Sequence, residues 1–311
     1  MATTTMSASP APPAPPPKAP RRGAARRGPR TTVMALPALI WYTVFMIGPI
    51  GAIFVISVLD WPGMLARVGF AGLDNYRAVL GDQLFWDATR NSAVQLAVAV
   101  PTMVAAAFML GYFLSTKPRG HRVLRVVVFT PALISASAKA MIFWGMFAPN
   151  GMLNKVLAGV GLGSLQHAWI ADTGTAFGCV IAVDIWAGIG YTATLYAARL
   201  DALPDSVHEA AELDGAGHWR RMWRIAFPMV RDYVGVTVML QFLWTLFTSA
   251  QNVLLLTQGG PGNSSTNLSF LVYQKAFVQS DLGYSQAAGV LLFCLGLAGM
   301  LLIRRAFRPA Y

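Results

Sequence analysis

Apolar residues in this chain come in long blocks. They do not show the alternate-residue spacing of half-buried strands or the three-and-four spacing of surface helices. At about 20 residues per crossing, six blocks are long enough to traverse a bilayer as helices: 32–59, 91–116, 126–149, 173–200, 233–257 and 284–303. Short alternating strands that would close a barrel do not occur, so helices are the expected way to satisfy the backbone in lipid. The predicted fold class is all-α, a polytopic membrane protein with six transmembrane helices.

Composition agrees with the pattern: 55% of residues are hydrophobic and 12% charged, which excludes an ordinary globular domain. The formal net charge of +11 would raise nucleic acid as a partner in a soluble protein, but the placement of the basic residues gives a simpler account. Arg21, Arg22, Arg26, Arg27 and Arg30 precede the first block, and Lys117, Arg119, Arg122 and Arg125 separate the second from the third. Arg199, Arg220, Arg221, Arg224 and Arg231 separate the fourth from the fifth, and Arg304, Arg305 and Arg308 follow the sixth. The other loops carry far fewer, so the positive-inside rule predicts that both termini are cytoplasmic. No nucleic-acid partner is expected; lipid is.

Residues 1–30 are rich in Pro, Ala, Thr and Arg, too poor in apolar area to offset ordering entropy, and read as a disordered cytoplasmic tail. The apolar run that follows is much longer than the core of a signal peptide, so an uncleaved first span is expected. Residues 31–311 then form one six-span domain with a cytoplasmic loop at 201–232. Cys179 and Cys294 fall inside apolar blocks without metal-ligand spacing and read as packing residues. Four scattered histidines, no HExxH and no suggestion of a Ser-His-Asp arrangement leave no basis for covalent catalysis, a metal or a cofactor.

The polar loop is the exception in a chain otherwise suited to lipid. From Pro204 to Pro228 it reads PDSVHEAAELDGAGHWRRMWRIAFP. Ser206 and Glu209 have the spacing of a capping box, Ala210, Ala211 and Leu213 favour helix, and Gly215 suits the left-handed turn that ends it. Beyond the turn, Trp219, Met222, Trp223 and Ala226 fall on one helical face and Arg220, Arg221 and Arg224 on the other, which predicts a helix lying at the membrane surface. On that pattern alone the loop is an amphipathic connector.

The full spacing says more. Glu-Ala-Ala, three residues, Gly215, nine residues, then Ile225-Ala226-Phe227-Pro228 resembles the signature loop of permease subunits of binding-protein-dependent ABC importers, with Phe227 where the family usually has Leu. The flanks resemble its carbohydrate-uptake branch: Phe70 to Tyr76 with Phe85, Trp86 and Asn91, then Pro149 to Asn154 with Trp169, then Thr257 to Ser264 followed by Tyr273 to Phe277 and Leu282 to Tyr284. These three segments resemble the family's external loops. The resemblance implies a type I importer architecture in a prokaryotic cell membrane. It implies that Glu209, Ala210, Ala211, Asp214 and Gly215 couple the spans to ATP-hydrolysing subunits. A GxxxxGK[ST] phosphate loop is missing from the chain, so ATP and Mg belong to separate partner chains. The implied partners are two such ATPase subunits, a second permease in a heterodimer and an extracytoplasmic solute-binding protein.

Candidates for a solute path are polar residues inside the blocks. Gln241, Trp244, Thr248, Gln251 and Asn252 recur at spacings of three and four, with amides for hydroxyl groups and an indole on which a sugar ring can stack. Interhelical hydrogen bonding is the alternative for each. Lys139 and Asp184 are ionisable at membrane depth, where a lone charge costs about 2.5–3.5 kcal/mol on insertion scales. Counting inward at 1.5 Å per residue puts both near ~15 Å deep, so they are a candidate ion pair, structural or solute-facing. Trp144, Trp186 and Tyr191 are weaker candidates. The expectation is a permease subunit for a sugar or sugar-like solute working by alternating access. An ion-coupled secondary transporter, or an importer of glycerol phosphate or another polar solute, stays open.

Overall fold

The computed structural model describes residues 29–63 and 67–307; the expected tail up to residue 28 and Arg308 lie outside the described residues. The chain divides into two compact units at Pro49. Helix Pro29–Tyr42, a π-helical turn at Thr43–Ile47 and helix Gly48–Ile56 follow one another, and Ala35–Ile56 is the first apolar stretch long enough to cross a bilayer. Every side chain from Ala35 to Pro49 is exposed.

The second unit carries the other crossings. Three are continuous: the second span Gln83–Ser115, the fourth Ala176–Asp201 and the sixth Leu282–Ala306. The third and fifth, expected as single helices, are each broken. Helix His121–Leu133 ends two residues after Pro131, and a new helix Ala136–Phe147 starts from Ser135, whose hydroxyl accepts the Ala138 amide. The stretch His121–Leu133 and the stretch Ala136–Gly159 lie at 97° to each other. In the fifth span, Arg231–Thr248 and Ala250–Leu256 meet at 46° around Ser249. The only strand pairing among the described residues is a short antiparallel ladder, Leu59 opposite Phe70 and Asp60 opposite Gly69.

Packing centres on the second and fourth spans. Gly111 lets them approach closely, because a Cβ there would sit 2.6 Å from the Tyr196 Cβ and 2.7 Å from the Ala193 carbonyl. Around this crossing, Phe108, Tyr112, Tyr196, Leu200, Met222, Ala226 and Val230 form one apolar cluster, drawing the 202–230 segment onto the ends of the spans. Tyr196 donates or accepts a 2.5 Å hydrogen bond with Thr237, tying in the fifth span.

One expected loop is not a loop. Residues 257–279 read as an external connection, yet helix Leu268–Tyr273 and the π-helical turn Gln274–Val278 lie in it, with Ser265 to Leu271 buried. The second span supplies the polar partners that make this burial tolerable: Asn91 donates to the Ser264 and Thr266 carbonyls at 3.0 and 2.9 Å, and the Ser92 hydroxyl accepts the Leu268 amide at 2.9 Å. Near the start of that span Asp82 accepts from the Leu84 amide and the Tyr284 hydroxyl, with the Lys275 ammonium 3.7 Å away.

Candidate functional site

Two constellations stand out, one on the 202–230 segment and one inside the bundle. In the first, helix Asp205–Leu213 begins from Pro204, whose extended backbone and fixed φ set the first turn. The expected Ser206 to Glu209 capping box is therefore not formed: the helix starts a residue before Ser206, and no side chain caps it. Glu209 is left exposed, with no hydrogen bond among the described residues. Ala210, Leu213 and Asp214 are exposed beside it, Leu213 at 89% of its surface, while Ala211 is buried. Gly215 has φ +65, the left-handed turn expected of it, and the Ala216 amide reaches back to the Ala211 carbonyl at 3.0 Å.

Arg221 braces that turn from the far side. Its Nε donates to the Ala216 carbonyl at 2.8 Å and its Nη1 to the Glu212 carboxylate at 2.7 Å. Arg221, expected on the polar face of a helix at the membrane surface, is instead turned to this brace. The surface-helix reading also changes: helix His218–Arg221 runs into a π-helical turn at Met222–Ala226, and Met222 and Ala226 are buried against the second and fourth spans. Trp219 and Trp223 keep 63% and 42% of their surface exposed. The apolar face is thus largely used for docking on the bundle, with Trp223 against Phe108 and Phe227, and His218 against Tyr112.

The second constellation surrounds Asp184, which is 3% exposed. Its Oδ2 accepts from Gln95 Nε2 at 2.5 Å and from the Ser249 hydroxyl at 2.7 Å, and its Oδ1 accepts from the Asn252 amide. Gln95 Nε2 also donates to Ser249 Oγ at 2.5 Å, and its Oε1 accepts from Asn267 Nδ2 at 3.0 Å. Asn267 in turn caps the Leu268–Tyr273 helix by accepting the Phe270 amide at 2.9 Å. One carboxylate therefore links the second span, the fourth, the break in the fifth and the inserted helix. Charge-assisted bonds of this kind keep a buried carboxylate satisfied.

Lys139 is half-buried, and among the described residues no ion pair joins it to Asp184. Amide and hydroxyl donors take the place of the expected lysine. The fifth-span candidates divide into two sets. Trp244, Thr248 and Gln251 are exposed, whereas Gln241 is buried, donating to the Thr192 hydroxyl, and Asn252 turns in toward Asp184. A cavity of about 260 Å³ lined by Ser137, Ala140, Met141, Trp144 and Leu255 lies where the second limbs of the broken third and fifth spans meet. Trp186 packs edge-on against Phe143, and Tyr191 is partly exposed. Gln95, Asn267 and the Ser92 anchor were not among the expected site residues. Their sequence signal was the polar set Asn91, Ser92 and Gln95 on one face of an apolar helix.

Four apolar helices long enough to cross a bilayer, six crossings if each bent pair is one span, with a polar segment docked on two of them, define an integral membrane protein. Residues 93–309 match the family model described as binding-protein-dependent transport system inner membrane component, and the chain belongs to that family. It is 32% identical to the probable ABC transporter permease protein YurN of Bacillus subtilis, over 88% of this chain and 94% of that one. It is 32% identical to the diacetylchitobiose uptake system permease protein NgcF of Streptomyces coelicolor, over 81% and 74%. The lactose transport system permease protein LacF of Rhizobium radiobacter is 31% identical, over 78% and 81%. In fold, the chain superposes on a bacterial ABC transporter involved in import of the acidic polysaccharide alginate with a TM-score of 0.77 at 19% identity, covering 90% of this chain and 95% of that one. Family membership sets aside the secondary-transporter alternative. The chain is a permease subunit, not an enzyme.

Proposed function

We propose that this chain is one of two different permeases in an ATP-driven importer of a sugar or sugar-like solute. The observation that carries the coupling half of the reading is the exposed Glu209 carboxylate. It stands on a short helix that is braced by Arg221 and docked through Met222 and Ala226, so a push on the helix is delivered to the second and fourth spans. Glu209 would accept charge-assisted hydrogen bonds from the ATPase subunit, Ala210 would allow close approach, and Leu213 would supply an apolar contact. ATP and Mg are held by that partner. The basic flanks of the loop support a cytoplasmic side for this end and for both termini. A solute-binding protein would deliver solute at the opposite end, and alternating access would move it past Trp244, Thr248 and Gln251. Relatives named for diacetylchitobiose and lactose support a sugar as the solute.

The test is ATP hydrolysis by the complex purified with its co-expressed ATPase subunits, across a panel of sugar-loaded binding proteins, with and without Glu209→Lys. Stimulation by one loaded binding protein, abolished by the substitution, supports the reading and names the sugar. Hydrolysis unaffected by every sugar, or unaffected by Glu209→Lys, contradicts it.

A further inference from the structure

The Asp184 cluster has a geometry that reaches beyond holding helices together. The fifth span breaks at Ser249, and two adjacent residue pairs straddle the break with opposite orientations. In the pair Thr248 and Ser249, the first is exposed and the second is buried against Asp184. In the pair Gln251 and Asn252, the first is again exposed and the second again bonded to Asp184. Neighbouring residues on a helix point about 100° apart, so fixing one member of each pair fixes where the other points. The carboxylate is itself held by Gln95, which donates to the same oxygen as Ser249, is 1% exposed and is anchored to Asn267.

We propose that Asp184 is a positioning residue that latches the break in the fifth span and thereby orients Thr248 and Gln251 toward the solute path. The role of those two side chains as path residues rests on the importer reading; the latch does not. The carboxylate acts through Ser249 and Asn252 and does not itself face the solute. Ser249 is suited to the part, since its hydroxyl accepts from Gln95 while donating to Asp184. A break in a helix normally leaves backbone and side-chain groups free to choose several arrangements, and a single buried acceptor shared by a donor at the break and another three residues beyond it selects one.

The experiment reads orientation directly and needs neither a solute nor an ATPase. Thr248→Cys and Gln251→Cys are made in the full chain with Cys294→Ser, Cys179 being buried, and the initial rate of labelling by a small polar maleimide is measured in proteoliposomes. Each is then combined with Asp184→Asn, which removes one acceptor oxygen from the cluster. Loss of a hydrogen bond worth about 1 kcal/mol predicts a change in labelling rate of about fivefold at both positions, with Trp219→Cys on the 202–230 segment changing less than about twofold. Moving the carboxylate from the fourth span to the break, as Asp184→Ser with Ser249→Asp, should restore the original rates, a rescue that simple loss of packing would not give. If Asp184→Asn proves too unstable to purify, Asn252→Ala carries the same prediction at position 251. Unchanged rates at 248 and 251 in a folded Asp184→Asn or Asn252→Ala protein would overturn the latch, whatever the outcome for ATP coupling.

Discussion

The element at 205–230 and the cluster around Asp184 are both polar constructions in an apolar protein, and they are built in opposite ways. The first is local. Its helix, its glycine turn and its arginine brace join residues no more than nine positions apart, and its key carboxylate points out of the molecule. The second is global. Its hydrogen bonds join residues 65 to 172 positions apart, and its carboxylate is almost wholly buried. An outward-facing local element can be substituted at the surface without unfolding the chain, so it is suited to meeting a partner. A buried shared acceptor cannot be removed without leaving donors unpaired, so it is suited to fixing geometry.

That contrast predicts unequal consequences for stability. Asp184→Ala strands the Gln95, Ser249 and Asn252 donors, and we expect a loss of about 2–4 kcal/mol, read as a lower melting temperature of the purified permease in detergent. Glu209→Lys should leave melting within about 0.5 kcal/mol of the parent, as an exposed surface change does. Equal destabilisation by the two would break the comparison.

Arg221→Ala sharpens it from the local side. The substitution removes the bonds to Glu212 and Ala216 from a partly exposed site, so the expected cost is about 0.5–1 kcal/mol, with faster amide exchange confined to 205–217. In the complex, stimulated ATP hydrolysis should fall several-fold while melting barely moves. Arg221→Lys keeps the charge but not the forked donor geometry, and should recover only part of the loss.

The smallest effect is expected at Asp82, where the second span begins. Burial pushes this carboxyl up, but the Leu84 amide, the Tyr284 hydroxyl and the Lys275 ammonium together hold it below its ordinary value of 3.8. A carboxyl lowered in the folded state stabilises the fold above its ordinary value and loses that contribution as pH falls through the lowered one. The melting difference between the parent and Asp82→Asn should therefore be present at pH 7, on the order of 0.5 kcal/mol for a partly exposed cluster, and shrink below pH 4. A difference that grows on acidification would contradict the assignment.

The same contrast explains what could be read from the sequence. Block hydrophobicity announced the four continuous spans and the two apolar stretches that bend, and the spacing from Glu209 to Gly215 announced a helix and its turn, because both signals lie within a single stretch of chain. The break at Ser249 was invisible for the opposite reason: a serine within an apolar block looks like any interhelical hydrogen bonder until its partner, 65 residues away, is known. The Leu268–Tyr273 helix escaped because it is only six residues long and begins among Asn, Ser and Thr, whose burial depends on Asn91, Ser92 and Gln95 of the second span. Lys139 and Asp184 drew attention as opposite charges at similar depth. Counting residues gives depth but not azimuth, and the amides and hydroxyls took the place of the lysine.

The most direct test of the account is amide hydrogen exchange across residues 205–221, compared between the permease alone and the complex assembled with its ATPase subunits. The account predicts that assembly slows exchange in the Asp205–Leu213 helix around the exposed Glu209, while the buried surroundings of Asp184 are slow in both states. Exchange at 205–213 that is the same in the two preparations, in a complex shown to be intact, would mean that the ATPase grips the permease elsewhere and that this element is only a connector.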